Sequence, residues 1–112
     1  MSGGGGGGGD DWRVLSGGGG GEEKCAIVER TVLNSPVASI VAGLEVGTIL
    51  QVELETQPRN RLVTATAAGE IAGAFTSPKL VEFIECIQDG FSYEAEVKSI
   101  SGGRVEIEIR PA

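Results

Sequence analysis

The chain contains no histidine. Histidine is the commonest general base in enzymes and the side chain that titrates nearest neutral pH, so the usual serine, cysteine and metal-water mechanisms lack their proton carrier. Carboxylates are present, but most fall at alternate positions of predicted strands, where a solvated face explains them. We therefore predict that the protein is not an enzyme, and we predict no metal site and no cofactor.

Cysteine is also scarce, with Cys25 and Cys86 far apart in the sequence and no CxxC spacing. This spacing excludes the usual zinc-ligand pattern and the usual redox motif. A reduced cytoplasmic chain is the simplest interpretation, and a disulfide between the two residues stays open. Met1 to Gly9 has neither the basic start nor the apolar run of a secretory signal.

No segment approaches the roughly 20 apolar residues needed to span a bilayer, so we predict no membrane insertion. The formal net charge is −7. Such a surface gives no general attraction to nucleic acid or to anionic lipid. Any contact with nucleic acid must therefore use a small basic patch.

Glycine is abundant, and it is concentrated near the start, in the tracts Gly3 to Gly9 and Gly17 to Gly21. Glycine tracts cannot bury apolar surface and behave as flexible coil. We predict a disordered tail over residues 1–23 and a single domain over residues 24–112. A domain of that size has one modest hydrophobic core.

A short island, Asp10 to Leu15, separates the two glycine tracts and contains the only tryptophan of the chain. Tryptophan is a favoured interface anchor, so Trp12, Val14 and Leu15 are candidate partner-binding residues. The alternative is a spacer whose tryptophan packs back onto the domain or has no role.

The domain is rich in strand patterns. Alternation is clearest in Thr48 to Glu55, where Leu50, Val52 and Leu54 share one face. Further strands are predicted at 26–33, 61–67, 70–75 and 93–110, and 37–42 is either a strand or a short helical turn. Gly73 suggests a bulge or a close backbone approach inside its strand.

One clear helix follows the strand pattern 70–75. Thr76 or Ser77 is a natural N-cap, Pro78 suits the first helical position, and Asp89-Gly90 provides the stop. The apolar positions recur at spacings of three and four. They are Leu80, Val81, Ile84 and Ile87.

The last two strands form a hairpin whose register follows from apolar matching. A three-residue loop, Ser101 to Gly103, puts Ile100 opposite Arg104 and keeps apolar residues together on one face. The same register places Glu96 opposite Glu108, a like-charge pair. A basic partner could relieve that repulsion, although solvent and splayed rotamers are the simpler explanation.

A basic turn and the start of the helix form the best candidate site. An arginine pair and the free amides of a helix N-terminus both suit a phosphate group. If the strands from Arg61 and from Glu70 pair as neighbours, the two features meet at one end of the sheet. The candidate phosphate-binding residues are Arg59, Asn60, Arg61, Thr76, Ser77 and Lys79. The alternative is an ordinary polar turn beside an ordinary capped helix.

The order of these elements resembles the HIRAN domain, a small β-rich module of helicase-like and nuclease proteins. The similar stretches are Pro58-Arg59-Asn60, the strand 62–67, the G-E-I-A-G run 69–73, the helix that leads to Asp89-Gly90, and Tyr93 to Val97. The resemblance covers roughly residues 45–109. It implies a curved antiparallel sheet, a partly closed SH3- or OB-like barrel with one helix, and recognition of single-stranded DNA ends.

Two functions follow from these features. The first is a non-catalytic module that binds single-stranded DNA or a nucleic-acid end through the basic turn. The alternative is a small protein-protein adaptor that uses its acidic sheet face and the Trp12 tail as two linked contacts. The exposed edges of a small sheet also allow self-association.

Overall fold

The structure is a computed structural model and describes residues 23–57 and 59–112. The predicted mainly β class is confirmed: the described residues form six antiparallel strands in one curled, half-barrel sheet. The elements, in chain order, are β1 (Glu29–Val32), α1 (Ala38–Val41), β2 (Ile49–Glu55), β3 (Arg61–Ala65), β4 (Ile71–Phe75), α2 (Leu80–Gln88), β5 (Tyr93–Ser101) and β6 (Arg104–Pro111).

The strands are arranged in the order β1-β6-β5-β2-β3-β4. The chain beyond β1 brings the two ends of this sheet together, because Asn34 and Ala74 exchange two backbone hydrogen bonds of 2.7 and 3.1 Å. The Thr31 hydroxyl adds a bond of 3.0 Å to the carbonyl of Thr76. This curling supplies hydrogen-bond partners to backbone groups on the edge of β4, which would otherwise be unpaired.

The core fills the inside of the curled sheet, and α2 closes it. The predicted alternation in β2 is confirmed, since Leu50 is fully buried and Val52 and Leu54 pack against the core. Burying these side chains supplies the main favourable term in folding. The largest fully buried side chains are Phe75, Phe83, Leu50, Leu62, Ile107 and Ile109.

The structure corrects the predicted bounds of the first strand and resolves the ambiguous run 37–42. The first strand is shorter than predicted and covers only Glu29–Val32. The segment 37–42 contains a one-turn helix, Ala38–Val41, rather than a strand. At four residues this helix is held by its neighbours, because short helices are marginal alone.

The predicted start of the long helix is wrong by two residues. It begins at Leu80, with Lys79 as N-cap, and no side chain caps it. Ser77 instead accepts a hydrogen bond from the Lys79 amide through its hydroxyl oxygen, and one from the Leu80 amide through its carbonyl, both of 3.0 Å. A tight turn therefore precedes the helix. The predicted stop is confirmed, with Gly90 at φ 102°.

The predicted hairpin loop is also wrong in length. Ser101 pairs with Arg104, so Gly102 and Gly103 form a two-residue loop, and both have positive φ. The register then shifts between Val97 and Ser99, where Lys98 is the extra residue of a bulge. This bulge restores apolar matching in the rest of the hairpin, and Glu96 does face Glu108.

The prediction of reduced cysteines is corrected by a disulfide between Cys25 and Cys86, with their Cα atoms 5.7 Å apart. Both residues are almost completely buried. The Tyr93 hydroxyl also donates a hydrogen bond to the carbonyl of Cys25. The segment before β1 is thereby attached to α2 and to β5.

Gly73 confirms the prediction of a close backbone approach. A Cβ atom at this position would lie 3.2 Å from the Asn34 carbonyl oxygen and 3.3 Å from the Pro36 Cα. We expect Gly73→Ala to lower the free energy of unfolding by about 1–3 kcal/mol, because the backbone must shift to admit the methyl group. Urea denaturation will measure the loss.

Gly43→Ala is the matched control, because a Cβ there meets its nearest atom at an ordinary 3.6 Å. Equal stability of Gly73→Ala and Gly43→Ala would show that the approach of the 33–36 segment to β4 is looser in solution.

Candidate nucleic-acid interface

Pairing of β3 with β4 brings the basic turn beside the start of the helix. Leu62 lies opposite Phe75 in this antiparallel pair. Arg61 is the first residue of β3 and Thr76 follows the last residue of β4, so both are at the same end of the hairpin. The structure therefore places the two halves of the candidate site next to each other.

The arginine side of the site is open to solvent. Arg59 and Asn60 are exposed, and Arg61 keeps 51% of its side-chain surface. The Arg61 guanidinium already donates a hydrogen bond of 2.7 Å to the Glu55 carboxylate, which belongs to the neighbouring strand β2. An exposed ion pair of this kind contributes little to stability, so a phosphate can replace the carboxylate at small cost.

The helix side of the site is occupied by contacts within the fold. The Ser77 hydroxyl donates to the Glu29 carboxylate at 3.2 Å and accepts from the Lys79 amide. The Thr76 carbonyl accepts from Thr31. These two residues join the end of β4 to β1, and the Glu29 carboxylate disfavours an anion beside Ser77.

The charges at this end of the sheet are weakly positive. Three cations, Arg59, Arg61 and Lys79, lie near two carboxylates, Glu29 and Glu55. Arg61 lies at the same end of the hairpin as Thr76, and Arg59 and Lys79 lie two and three residues from them along the chain. The helix amides contribute less than predicted, because Ser77 already binds the first of them.

Each glutamate on the outer face of the β5–β6 hairpin lies in an ion pair with Lys98, Arg104 or Arg110. The like-charged pair Glu96 and Glu108 is bridged on one side by Lys98 and on the other by Arg110. Hydrogen bonds from Arg110 and Lys98 lower the pKa of Glu96 below its ordinary value. Repulsion across the ladder is therefore relieved inside the protein, without a basic partner.

A surface groove of about 450 Å³ lies where β2 and β5 separate. Ile49, which is 43% exposed, gives it one apolar wall. The other lining residues are Gln51, Val52, Ala67, Ser92, Tyr93, Glu94 and Ala112. Both apolar and polar groups line this groove.

Sequence reasoning missed Glu29, Glu55 and Thr31 as neighbours of the candidate site. All three come from other strands, and no local motif links them to residues 59–61 or 76–79. The alternating pattern of β2 does predict that Glu55 lies on the outer face. The candidate partner-binding residues Trp12, Val14 and Leu15 lie outside the described residues.

Two further properties of residues 23–57 and 59–112 bear on ligands. Within these ranges no group of three or more cysteine, aspartate or glutamate side chains is arranged to hold a metal ion. No helix in this part of the chain has the length and apolar character required to cross a membrane.

Comparisons with known proteins give no relatives. The sequence matches no protein-family model, and it has no match among the curated proteins or the solved structures.

Proposed function

We propose that the protein is a non-catalytic binding module that holds a phosphate of single-stranded DNA or of a nucleic-acid end. The observation that carries this proposal is the β3–β4 pairing, which puts Arg61 at the same end of the hairpin as Thr76, with Arg59 and Lys79 close to these two residues in the sequence. Their clustering gives a local positive charge on a protein of net charge −7. The HIRAN resemblance, itself a prediction, supports the same ligand.

The missing histidine supports a binding role rather than catalysis. Binding of nucleic acid would be weak, because phosphates beyond the site meet an acidic surface. We therefore expect the module to prefer ends and short single strands, where one or two phosphates reach the cations. A long duplex would place many phosphates against that surface.

The direct test is fluorescence anisotropy of labelled single-stranded and overhang DNA. With one or two phosphates neutralised, affinity is expected to fall about three- to sevenfold between 50 and 200 mM salt. The variant R59A/R61A/K79A should bind about tenfold or more weakly at low salt.

The matched control is K24A/R30A/R104A, which removes the same charge from other exposed positions. Equal loss of binding in the two triple variants would show that only net charge matters and would contradict a local site. Absence of binding by the wild-type protein at low salt would reject the nucleic-acid function.

The second candidate is a protein-protein adaptor with a basic partner. One group of carboxylates lies on and just after α2, where Glu82, Glu85 and Asp89 raise the pKa of Lys24, mainly through a hydrogen bond from Lys24 to Glu85. This acidic stripe is the surface that such a partner would contact.

The cytoplasmic location predicted from the sequence stays a prediction. The buried Cys25–Cys86 disulfide weighs against it, because cytosolic reductants keep most thiols reduced.

A further inference from the structure

Strand β2 has a neighbour on both sides along only part of its length. It pairs with β3 from Gln51 to Glu55. It pairs with β5 only from Ile49 to Gln51. On the β5 side, the half of β2 from Val52 to Glu55 therefore has no strand beside it in the described part of the chain.

In this half of β2, the backbone groups of alternate residues point toward the side that lacks a strand. Val97 donates a hydrogen bond of 2.9 Å to the carbonyl of Thr48, so Thr48 points toward β5. Successive residues of an antiparallel strand alternate in direction, which turns Val52 and Leu54 the same way. Their amide and carbonyl groups are thus available to an added strand, as in β-strand addition.

The space beside β2 opens because the start of β5 pairs with β6 and no longer with β2. Tyr93 pairs with Pro111, and the Ala112 amide donates to the carbonyl of Ser92 at 3.0 Å. The groove described above begins here, between Val52 and Ser92. The half-buried side chains of Val52 and Leu54 point toward the core and leave part of their apolar surface uncovered.

We propose that the occupant is the chain's own Asp10 to Leu15 segment, added antiparallel to β2. Trp12 then lies opposite Leu54, and its apolar ring covers the inner face. Arg13 lies opposite Glu53 on the outer face. Pairing ends at Val14, opposite Val52, because β5 occupies this side of β2 at Ile49, Leu50 and Gln51, and Leu15 then enters the groove beside Ile49.

The groove favours this direction. Only antiparallel addition sends Leu15 to the groove beside Ile49, whereas parallel addition would send Asp10 and Asp11 toward it. Arg13 meets the exposed carboxylate of Glu53, and opposite charges directly across a ladder are favourable. Asp11 lies opposite Glu55, whose carboxylate already accepts a hydrogen bond of 2.7 Å from Arg61.

The tether is long enough for this docking. Seven residues, 16–22, join Leu15 to Glu23. Such a segment extends at most roughly 25 Å, and a glycine-rich one averages about 15 Å. Cys25 lies two residues after Glu23, and its carbonyl accepts a hydrogen bond from the Tyr93 hydroxyl. Tyr93 also lines the groove. The point where the tail joins the domain is thus separated from the groove by the Tyr93 side chain.

Docking would also place the tail in competition with a bound phosphate. This consequence, unlike the docking itself, rests on the proposed function, because it assumes that nucleic acid uses Arg59 and Arg61. Asp11 would then add negative charge beside the Glu55–Arg61 pair and weaken phosphate binding there.

Trp12 is the only tryptophan, so its fluorescence reports on the tail alone. In the full-length protein without DNA, we expect its emission to be blue-shifted and less quenched by acrylamide than in the Asp10 to Leu15 peptide. R13E and E53R should each lower the docking equilibrium constant about fivefold, and R13E/E53R should restore it.

Each remaining outcome overturns part or all of the proposal. Quenching equal to that of the peptide would exclude docking. Failure of R13E/E53R to restore protection would exclude the register. Protection that depends on protein concentration, with dimers in sedimentation, would assign the groove to a second copy's tail. None of these results depends on DNA, so a failed DNA titration would leave the docking proposal standing.

Discussion

The variant C25A/C86A is expected to lose about 4 kcal/mol of unfolding free energy. The disulfide closes a loop of 61 residues, and a crosslink of that span removes much conformational freedom from the unfolded chain. Alanine avoids leaving a buried unsatisfied hydroxyl. The melting temperature should fall by roughly 20 °C, which urea and thermal unfolding followed by circular dichroism will measure.

The control for this variant is Lys24→Ala, which removes the exposed ion pair to Glu85 next to the disulfide. We expect that change to be nearly neutral, since exposed pairs contribute little. Two reactive thiols in the unfolded, non-reduced wild type would show that the cysteines are unlinked. C25A/C86A as stable as the wild type would show that the crosslink is not a main stabiliser.

Phe83→Ala is expected to cost about 3–5 kcal/mol, which is comparable to losing the disulfide. Phe83 is 0% exposed and attaches α2 to the sheet. Its ring packs edge-to-face against Tyr93, with centroids 4.9 Å apart, and against Phe75 at 6.2 Å. Removing it leaves a cavity that rigid strands cannot collapse to fill. Chemical denaturation will measure the loss.

Two substitutions serve as controls for Phe83→Ala. Phe83→Leu keeps most of the volume and should cost less than about 2 kcal/mol. Val81→Ala, on the same helix but 63% exposed, should be close to neutral. Equal effects of Phe83→Ala and Val81→Ala would mean that α2 is not packed on the sheet as described.

The losses of unfolding free energy in C25A/C86A and in Phe83→Ala should not be additive. Phe83 contacts Tyr93, and the Tyr93 hydroxyl binds the carbonyl of Cys25. Residues that share a partner in this way are coupled, so the triple variant should lose less than the sum of the separate losses.

Several strands and the helix could be predicted because their signals are local. The alternation in Thr48 to Glu55 became β2, and the close approach suggested by Gly73 is present. The hairpin loop was mispredicted for a specific reason. Apolar matching was correct for Ala95 and Val97, but one bulge at Lys98 let a two-residue loop satisfy it. Pattern matching cannot choose between a longer loop and a bulge.

About half of the candidate site could be predicted. Local turn and cap chemistry identified residues 59–61 and 76–79, and the assumed pairing of their strands is confirmed. The partners of those residues could not be predicted. Glu29 reaches Ser77 across 48 residues of sequence, and this contact exists only because the curled sheet brings β1 to the end of β4.

The sequence by itself determined the mainly β class, the helix with its glycine stop, the lack of histidine chemistry and the local basic turn. These follow from residue type and spacing within a few positions. Only the tertiary structure decided that Cys25 and Cys86 form a disulfide, and that Glu55 and Glu29 contact residues of the candidate site. It also decided that, among the described residues, no strand lies on the β5 side of Val52 to Glu55. Such contacts depend on which distant strands become neighbours, and local spacing carries no record of that choice.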